Sequence, residues 1–446
     1  MSETKIVLIG AGSASFGVDT LAGLFEASDT LRGSTVTLVD VDDAALGLMT
    51  TLAQRGNEER GAGLLIESTT DRREALVDAE FVIVSVEVDR YPAWARDWNV
   101  VSGVGPLGYC ENGGPGGLSH SLRIIPVVVD ICRDVARIAP NALVLNYSNP
   151  MSRVCMAISR HTNARVVGLC HQIGEAYYQI GRAMGDVTAP HGTQEEMDEV
   201  GVVAERVGLR ACGLNHLTFI TEMWDLRTGE DLYPTFREHL DRAPTDLSPL
   251  SRRVHDIFGL YPTGGDKHIS EYFGWSSELC DVEPMFAAWD ARGDRRHQRL
   301  LAAKSGELPL SDLFSRANEF ELDRAVDVIT SILTGGDQLE LAVNVVNDGA
   351  IPGLPPWAIV EVPAVVGVDG LRALRMPALP GGITGLLNQQ ITVQDRVVEA
   401  AIHGDRNLAL QALLIDPVSG GRLRENEELL DGLLDAQRPL LPRFAA

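Results

Sequence analysis

The stretch KIVLIGAGSASFG, residues 5–17, decides the fold. A short apolar run leads directly into Gly10 and Gly12, and a helical pattern follows. A glycine at the first position permits a tight turn after a strand, and a glycine at the second lets the backbone approach a pyrophosphate at a helix N-terminus. The spacing therefore predicts a strand, a dinucleotide-binding turn that includes Ser13 and Ala14, and a helix.

The third glycine of the usual dinucleotide fingerprint is absent, because Ser15 stands in its position. Asp40 strengthens the prediction, since it closes the next β-rich run, STVTLVD. A carboxylate there can accept both ribose hydroxyls and would repel a 2′-phosphate, so the pattern favours NAD over NADP. A purely structural glycine turn with a solvated aspartate is the alternative interpretation.

Short β-rich runs alternate with helical patterns over roughly the first 190 residues. Examples are the helical patterns at 16–26 and 43–60 and the apolar runs at 79–86 and 141–146. Near-continuous apolar strands separated by helices indicate a parallel sheet that is covered on both faces. The sequence thus predicts an α/β fold with a doubly wound dinucleotide-binding domain.

A polar, acidic stretch at 185–201 indicates a domain boundary. We therefore predict one domain over 1–195 and a second, α+β domain over 196–446. The second begins with LRACGLNHLTFITEMWDL, residues 209–226, which has the pattern of one long β-run. A chain of 446 residues is long enough for two domains.

The bulk composition excludes some partners. A formal net charge of −24 argues against nucleic acid and anionic membranes, because both require basic surface. No secretion-signal pattern precedes the first strand, and no apolar run approaches the roughly 20 residues of a membrane helix. The six cysteines form no CxxC pair, so we expect reduced thiols and a cytoplasmic protein.

Cys170 and His171 lie side by side in VVGLCHQ, at the predicted end of a strand. They could be packing residues, a nucleophile with its base, or part of a metal site. Neighbouring side chains on a strand point to opposite faces, which is poor geometry for a dyad. A metal would need another donor, and His216 in GLNHLTF is the best candidate, 46 residues further along. Spacing alone leaves these alternatives open.

Taken together, the motifs resemble glycoside hydrolase family 4, the NAD-dependent glycosidases. The resemblance runs nearly end to end, through IGAGSASF, VDVD, GPGGLSHSLRIIPV, NYSNPM, GLCH, GLNHLTF, GLYPTGGDKHISEYF, NDGAIPGLP, VEVPAVV and LALQALLIDP. It implies a Rossmann-type NAD domain similar to that of lactate and malate dehydrogenases. It also implies a divalent metal, usually Mn²⁺, held by Cys170 and His216, and a homodimer or homotetramer acting on a small sugar or oligosaccharide.

The family's chemistry is an exception to two-carboxylate glycoside hydrolysis. The resemblance implies oxidation at carbon 3 by NAD⁺, loss of the carbon 2 proton, elimination at carbon 1, water addition and return of the hydride. By the same resemblance Asp266 is the base and Asn149 binds the hydroxyls on carbons 2 and 3. His171 is then an acid or hydrogen-bond donor on the leaving-group side and contacts the substrate.

The residue after the metal-site cysteine sorts family members by substrate. Histidine at that position, here His171, goes with unphosphorylated sugars. The surrounding stretches are most similar to α-galacturonidase-type members, so we expect an α-galacturonide or α-galactoside. Lys267 and Arg123 are the cations nominated for a uronate carboxylate. The roles of His268 and Glu271 stay open between metal support, substrate contact and structure.

Other functions are compatible with the same sequence. An α-glucosidase or α-glucuronidase of the same family is one alternative. A lactate/malate-type dehydrogenase that releases a keto acid is another, and it would need no metal. A sugar-sensing module would bind NAD and sugar without turnover.

Overall fold

The computed structural model describes residues 3–102, 111–190, 193–244, 247–280, 286–315 and 324–444. The strands are β1 (Lys5–Ile9), β2 (Thr35–Val39), β3 (Leu65–Thr69), β4 (Phe81–Val84), β5 (Leu143–Asn146), β6 (Arg165–Gly168), β7 (Val207–Leu214), β8 (Leu217–Asp225), β9 (Gln338–Val346), β10 (Ile359–Gly367) and β11 (Gly370–Ala373). The helices are α1 (Phe16–Glu26), α2 (Ser28–Leu31), α3 (Asp43–Arg60), α4 (Arg72–Ala75), α5 (Arg90–Val101), α6 (Gly114–Ile138), α7 (Met151–His161), α8 (Gln172–Met184), α9 (Gln194–Arg206), α10 (Tyr233–Arg242), α11 (Pro249–Phe258), α12 (Gly265–Ile269), α13 (Phe286–Ser305), α14 (Leu310–Leu313), α15 (Arg324–Thr334), α16 (Gly381–His403), α17 (Arg406–Ile415) and α18 (Leu423–Ala436).

These strands form one sheet in the order β3-β2-β1-β4-β5-β6-β9-β10-β7-β8, with β11 beside β10. Strands β1 to β6 pair in parallel. The later strands pair antiparallel, beginning where β9 meets β6. The parallel half with its intervening helices confirms the predicted doubly wound α/β architecture.

Strand β1 shows why its apolar run is continuous. Ile6 and Leu8 are buried in a cluster with side chains of α1 and α3, on one face of the sheet. Val7 and Ile9 are buried in a second cluster with α6 and α7, on the other face. Successive side chains of a strand point to opposite faces, so a sheet covered on both sides needs apolar residues at every position.

The C-terminal helices pack back onto the N-terminal half. Val397 and Ala400 of α16 are fully buried in the same cluster as Val7 and Val82. The sheet and this cluster both extend across the predicted division at residue 195. The boundary between 1–195 and 196–446 stays a prediction, and it does not separate two independent cores.

The β pattern predicted at 209–226 is confirmed, and the structure divides it into two strands. β7 and β8 form an antiparallel hairpin in which Leu214 pairs with Leu217. Asn215 and His216 make the turn, and His216 has a φ of 63°. Strand propensity alone did not reveal the turn, because it contains neither glycine nor proline.

The described ranges bear on two further expectations. No helix in them is long and apolar enough to cross a membrane. Each cysteine described is a free thiol, as expected for a reduced protein: Cys132, Cys155, Cys170, Cys212 and Cys280.

A buried ion pair joins α5 to α6. The Arg123 guanidinium donates to Asp97 at 2.7 Å and to Ser119 at 2.9 Å, and the side chains of Arg123 and Asp97 are fully buried. Gln437 donates to the same aspartate at 2.8 Å, which adds the C-terminal segment to the contact. Arg123 does not line the cavity described below, so its nomination as the contact for a substrate carboxylate is wrong.

We expect Arg123→Met to lower the free energy of unfolding by about 3–5 kcal/mol, because it leaves a buried carboxylate without its cation. Urea unfolding would measure this. Arg137→Met on the same helix is the control, since Arg137 is 62% exposed in its pair with Asp134 and such pairs contribute about 0–1 kcal/mol. Equal stability of the two variants would contradict a structural role for Arg123.

Candidate active site

A cavity of about 1430 Å³ opens at the carboxyl ends of the parallel strands. Residues that follow β1, β2, β4 and β5 line it, among them Gly10, Asp40, Ser85 and Asn149. In open α/β sheets ligands bind in the crevice outside these strand ends. The cavity is therefore the candidate active site.

The predicted glycine turn forms one wall of the cavity. Gly10 has a φ of +92°, and a Cβ there would lie 2.1 Å from the backbone oxygen of Ser85. Gly12 packs against Asp40, and a Cβ at position 12 would lie 2.9 Å from the Oδ2 of that aspartate. Gly10, Ser13 and Ala14 line the cavity beside the N-terminus of α1. Close packing thus requires glycine at both positions, against backbone at Gly10 and against the side chains of Ala45 and Asp40 at Gly12.

Asp40 lies at the cavity edge at the end of β2. Its Oδ2 accepts a hydrogen bond from the Gly12 backbone N–H at 2.8 Å, and its Oδ1 accepts one from Asp42 at 3.0 Å. These bonds hold the carboxylate at the position where a nucleotide ribose is expected in this fold. A negative charge there opposes a 2′-phosphate.

Sequence reasoning missed a third packing glycine. A Cβ on Gly17 would lie 2.5 Å from the backbone oxygen of Ala11. Close contact between the turn and the first helix is the usual role of the fingerprint's third glycine. The sequence does contain this glycine two residues after Ser15, but it lies inside the helical pattern.

Cys170 and His216 meet in the cavity. Cys170 follows β6, and its Sγ lies 3.5 Å from Nε2 of His216 in the β7–β8 turn. The positive φ of His216 is uncommon for a residue other than glycine, and such strained positions cluster at functional sites. The structure therefore brings together the two residues predicted as metal ligands.

Glu111 and His268 lie beside this pair. One ligand atom from each of Glu111, His216 and His268 falls within 4.8 Å of the others. The imidazole centroids of His216 and His268 are 4.0 Å apart, and His268 Nδ1 lies 3.7 Å from Glu111 Oε2. Glu111 was not among the predicted site residues, because nothing in the local sequence relates it to a histidine about a hundred positions away.

The donor set suits a divalent transition metal. A thiol sulfur, an imidazole nitrogen and a carboxylate oxygen are ligands that Mn²⁺ or Zn²⁺ can use. Burial and the carboxylate of Glu361 raise the pKa of the Cys170 thiol to about 12. Only a nearby cation would keep that sulfur as a thiolate at neutral pH, and a bound metal supplies such a charge.

His171 lines the cavity beside the N-terminus of α1. Its ring stacks on Tyr147 with centroids 5.9 Å apart and lies 5.6 Å from Phe16. Burial, together with the charge of Arg324, lowers the pKa of His171 to about 4. Its Nδ1 has no hydrogen-bond partner among the described residues. A neutral imidazole can donate a hydrogen bond to a ligand through one nitrogen and accept one through the other.

Asn149 also lines the cavity. Its Nδ2 donates to Glu111 Oε1 at 3.4 Å, and its Oδ1 accepts from the Met151 backbone at 3.1 Å. The Asn149 amide therefore lies next to Glu111, the carboxylate beside Cys170 and His216. Its role in binding substrate stays a prediction.

Glu271 is fully buried behind the cavity. Its Oε1 accepts backbone N–H groups of Glu111 at 2.6 Å and Asn112 at 3.0 Å. Burial and the neighbouring charge of Glu111 raise the pKa of Glu271 to about 8. Glu271 therefore lies under the 111–113 segment and does not line the cavity.

Asp266 is not among the residues that line the cavity, and its role as the base stays a prediction. Its Oδ2 accepts from Leu250 N at 2.9 Å, and its Oδ1 accepts from the backbone and hydroxyl of Ser251 at 2.8 and 2.7 Å. These bonds cap the N-terminus of α11, whose free N–H groups need acceptors. From the same short helix, His268 is the side chain that lines the cavity.

Lys267 is exposed and is not among the cavity-lining residues either. Its charge still acts on Glu111 and His216, so Lys267 lies near the site without lining it. Arg292 and Arg296 of α13 do line the cavity. Arg90 also lines it, so the cavity presents cationic side chains besides the two nominated from the sequence.

Comparison with known proteins identifies similar sequences and folds. A curated relative, an alpha-glucosidase from Erwinia rhapontici, is 34% identical over 98% of this chain and 99% of its own length. A 6-phospho-alpha-glucosidase from gut microorganisms, solved in complex with NAD and Mn²⁺, has a TM-score of 0.83 at 21% identity over 99% of each chain. A malate dehydrogenase from Cryptosporidium parvum has a TM-score of 0.54 at 14% identity, covering 90% of this chain and 99% of that one. The two solved structures confirm the predicted fold.

The family models cover most of the chain. The model of family 4 glycosyl hydrolase matches residues 5–185, and that of the family 4 glycosyl hydrolase C-terminal domain matches residues 211–419. These matches confirm the resemblance found in the sequence motifs. The chain belongs to the family 4 glycosyl hydrolases.

Proposed function

We propose that this protein hydrolyses an unphosphorylated α-hexoside, using NAD⁺ and a divalent metal, with Mn²⁺ first among candidates. The observation that carries the proposal is the 3.5 Å approach of Cys170 Sγ to His216 Nε2 in one cavity with the Gly10 turn and Asp40. A dinucleotide site alone would suit a dehydrogenase. A dinucleotide site that shares its cavity with a thiol–imidazole pair suits redox-assisted elimination.

When bound, NAD⁺ supplies a hydride acceptor and donor for carbon 3 of the sugar, and the metal supplies Lewis acidity toward the sugar oxygens. The chain's own residues then orient the sugar and move protons. Asn149 lies where its amide can bind the hydroxyls on carbons 2 and 3. The neutral His171 ring can hydrogen-bond to the glycosidic oxygen on the leaving-group side.

We assign the proton acceptor for carbon 2 to His268, in place of Asp266. His268 projects into the cavity from α12 and packs against the metal-site His216. Asp266 has its oxygens engaged at the start of α11. The imidazole takes the carbon 2 proton as the bond at carbon 1 breaks, and it returns a proton after water has added to carbon 1.

The choice of sugar rests on fewer contacts. His171 after Cys170 favours unphosphorylated sugars, and the Erwinia rhapontici relative is named an alpha-glucosidase. An α-galacturonide would not be bound through Arg123 or Lys267, because neither lines the cavity, but Arg292 and Arg296 do line it. Because the relative that is 34% identical is named an alpha-glucosidase, we propose α-glucosides as substrates beside α-galactosides and α-galacturonides.

The direct test is a panel of 4-nitrophenyl α-glucoside, α-galactoside and α-glucuronide, with α-galacturonide oligomers, assayed with NAD⁺, Mn²⁺ and thiol reductant. We expect nitrophenol release from an α-hexoside without net accumulation of NADH, because each cycle returns the hydride. A matching 6-phosphoglucoside is the control and should be a poor substrate. Sustained growth of NADH absorbance would instead support a lactate/malate-type dehydrogenase.

We expect Cys170→Ser to weaken Mn²⁺ binding by more than about 100-fold and to abolish hydrolysis. Loss of a direct ligand should exceed the 10–100-fold effect that is usual for residues supporting a ligand. NAD⁺ affinity should be unchanged, because the Gly10 turn and Asp40 are not altered. Calorimetric titration with each cofactor measures both effects, and full activity of this variant in the presence of EDTA would rule out the metal assignment.

His268→Gln and Asp266→Asn form a matched pair that tests the base. We expect His268→Gln to lose exchange of the carbon 2 hydrogen with D₂O and to lower kcat by about 10²–10⁴-fold, with Mn²⁺ affinity retained. Asp266→Asn should retain exchange and lower the free energy of unfolding by about 1 kcal/mol, the usual effect of weakening a helix cap. Loss of exchange only in Asp266→Asn would return the base to that residue. A large loss of Mn²⁺ affinity in His268→Gln would make His268 a ligand instead.

A further inference from the structure

Asn112 is a buried side chain in contact with the metal-site histidine. It is 5% exposed, and its amide Nδ2 lies 2.9 Å from Nδ1 of His216. The opposite nitrogen of the same ring, Nε2, faces Cys170 Sγ. The Nε2 edge of the imidazole therefore points toward Cys170, and the Nδ1 edge points toward Asn112.

A histidine can ligate a metal through Nε2 only when that nitrogen carries a lone pair. In the neutral ring the proton must then be on Nδ1, where it needs an acceptor. The amide of Asn112 can present either its NH₂ or its oxygen to this nitrogen by a half-turn of the side chain. Presenting the oxygen would satisfy the Nδ1 proton and leave the Nε2 lone pair facing the thiol.

The backbone of Asn112 is held in place by Glu271. Its N–H lies 3.0 and 3.2 Å from the two carboxylate oxygens, and the N–H of Glu111 donates to Oε1 at 2.6 Å. Gly113 follows directly, and a Cβ there would lie 2.2 Å from the backbone oxygen of Glu271. The 111–113 segment can therefore approach Glu271 this closely only with a glycine at 113.

We propose that Asn112 is a positioning residue that sets the tautomer of His216, its Oδ1 accepting the Nδ1 proton in the metal-bound protein. Glu271 anchors the backbone from which Asn112 acts. The proposal rests on the proposed function in one respect, that His216 binds the metal. It gives Glu271, which contacts no cavity, a role in the site, and it explains why an asparagine lies buried against a metal ligand.

The test measures Mn²⁺ affinity of the full-length protein by calorimetry, without sugar or NAD⁺. We expect Asn112→Leu to weaken binding by about 10–100-fold, as loss of an outer hydrogen-bond partner does elsewhere. Asn112→Asp keeps an acceptor and should bind Mn²⁺ close to the parent level. Asn426→Leu removes another buried asparagine, in α18 and remote from the cavity, and should leave Mn²⁺ affinity unchanged. Parent-like affinity in Asn112→Leu would overturn the proposal.

A second measurement reads the tautomer in the parent protein and does not depend on how the Asn112 variants fold. The parent protein, with its ten histidines labelled with ¹⁵N and loaded with diamagnetic Zn²⁺, reports each tautomer by NMR, and the His216→Gln spectrum identifies the His216 signals. We expect a protonated Nδ1 and a metal-bound Nε2 for His216. A proton on Nε2 would overturn the proposal. Intact Mn²⁺ binding with the expected tautomer but no glycoside hydrolysis would count against the proposed function alone.

Discussion

The site depends on the junction at which the parallel half of the sheet meets the antiparallel half. Gly168 of β6 pairs with Asn344 of β9, and a Cβ at Gly168 would lie 2.5 Å from Met151 Sδ and 2.9 Å from Asn344 Cβ. No larger residue would permit this approach. Cys170 follows two residues later, so the junction determines how far its sulfur lies from the antiparallel strands that carry His216. The dinucleotide half alone holds only one of the two predicted ligands.

A buried carboxylate connects this junction to the β7–β8 hairpin through hydrogen bonds. Glu361 of β10 is 1% exposed and accepts hydrogen bonds from Asn344 at 2.9 Å, Asn215 at 2.7 Å and Thr218 at 2.8 Å. Asn215 and Thr218 flank His216 in the chain. A satisfied polar network in a low-dielectric interior is rigid, because each lost bond would leave a buried charge or amide unpaired. The network thus explains how a strained turn residue is held in one position.

The sequence predicted those parts of the site that are local in the chain. The glycine turn and Asp40 each follow a strand, so their positions were derivable from strand-end geometry, whereas Cys170 and His216 required family resemblance. Asp266 and His268 lie two residues apart on one short helix, and no local pattern states which of them faces the cavity. Glu111 is held at the cavity by contacts with residues far away in the chain, such as Glu271. The spacing of residues in a single sequence does not predict such contacts.

The charges around the cavity explain why this arrangement of side chains favours a bound metal ion. Glu111 and Glu361 surround a buried thiol whose pKa they raise along with burial, so without a cation these groups oppose a thiolate. A bound divalent ion would offset that negative potential, because the carboxylates would stabilise the ion and the ion would stabilise the thiolate. The nucleotide half needs no such compensation, since Asp40 is satisfied by backbone N–H groups. Metal binding should therefore couple to the junction and the hairpin more strongly than to the glycine turn.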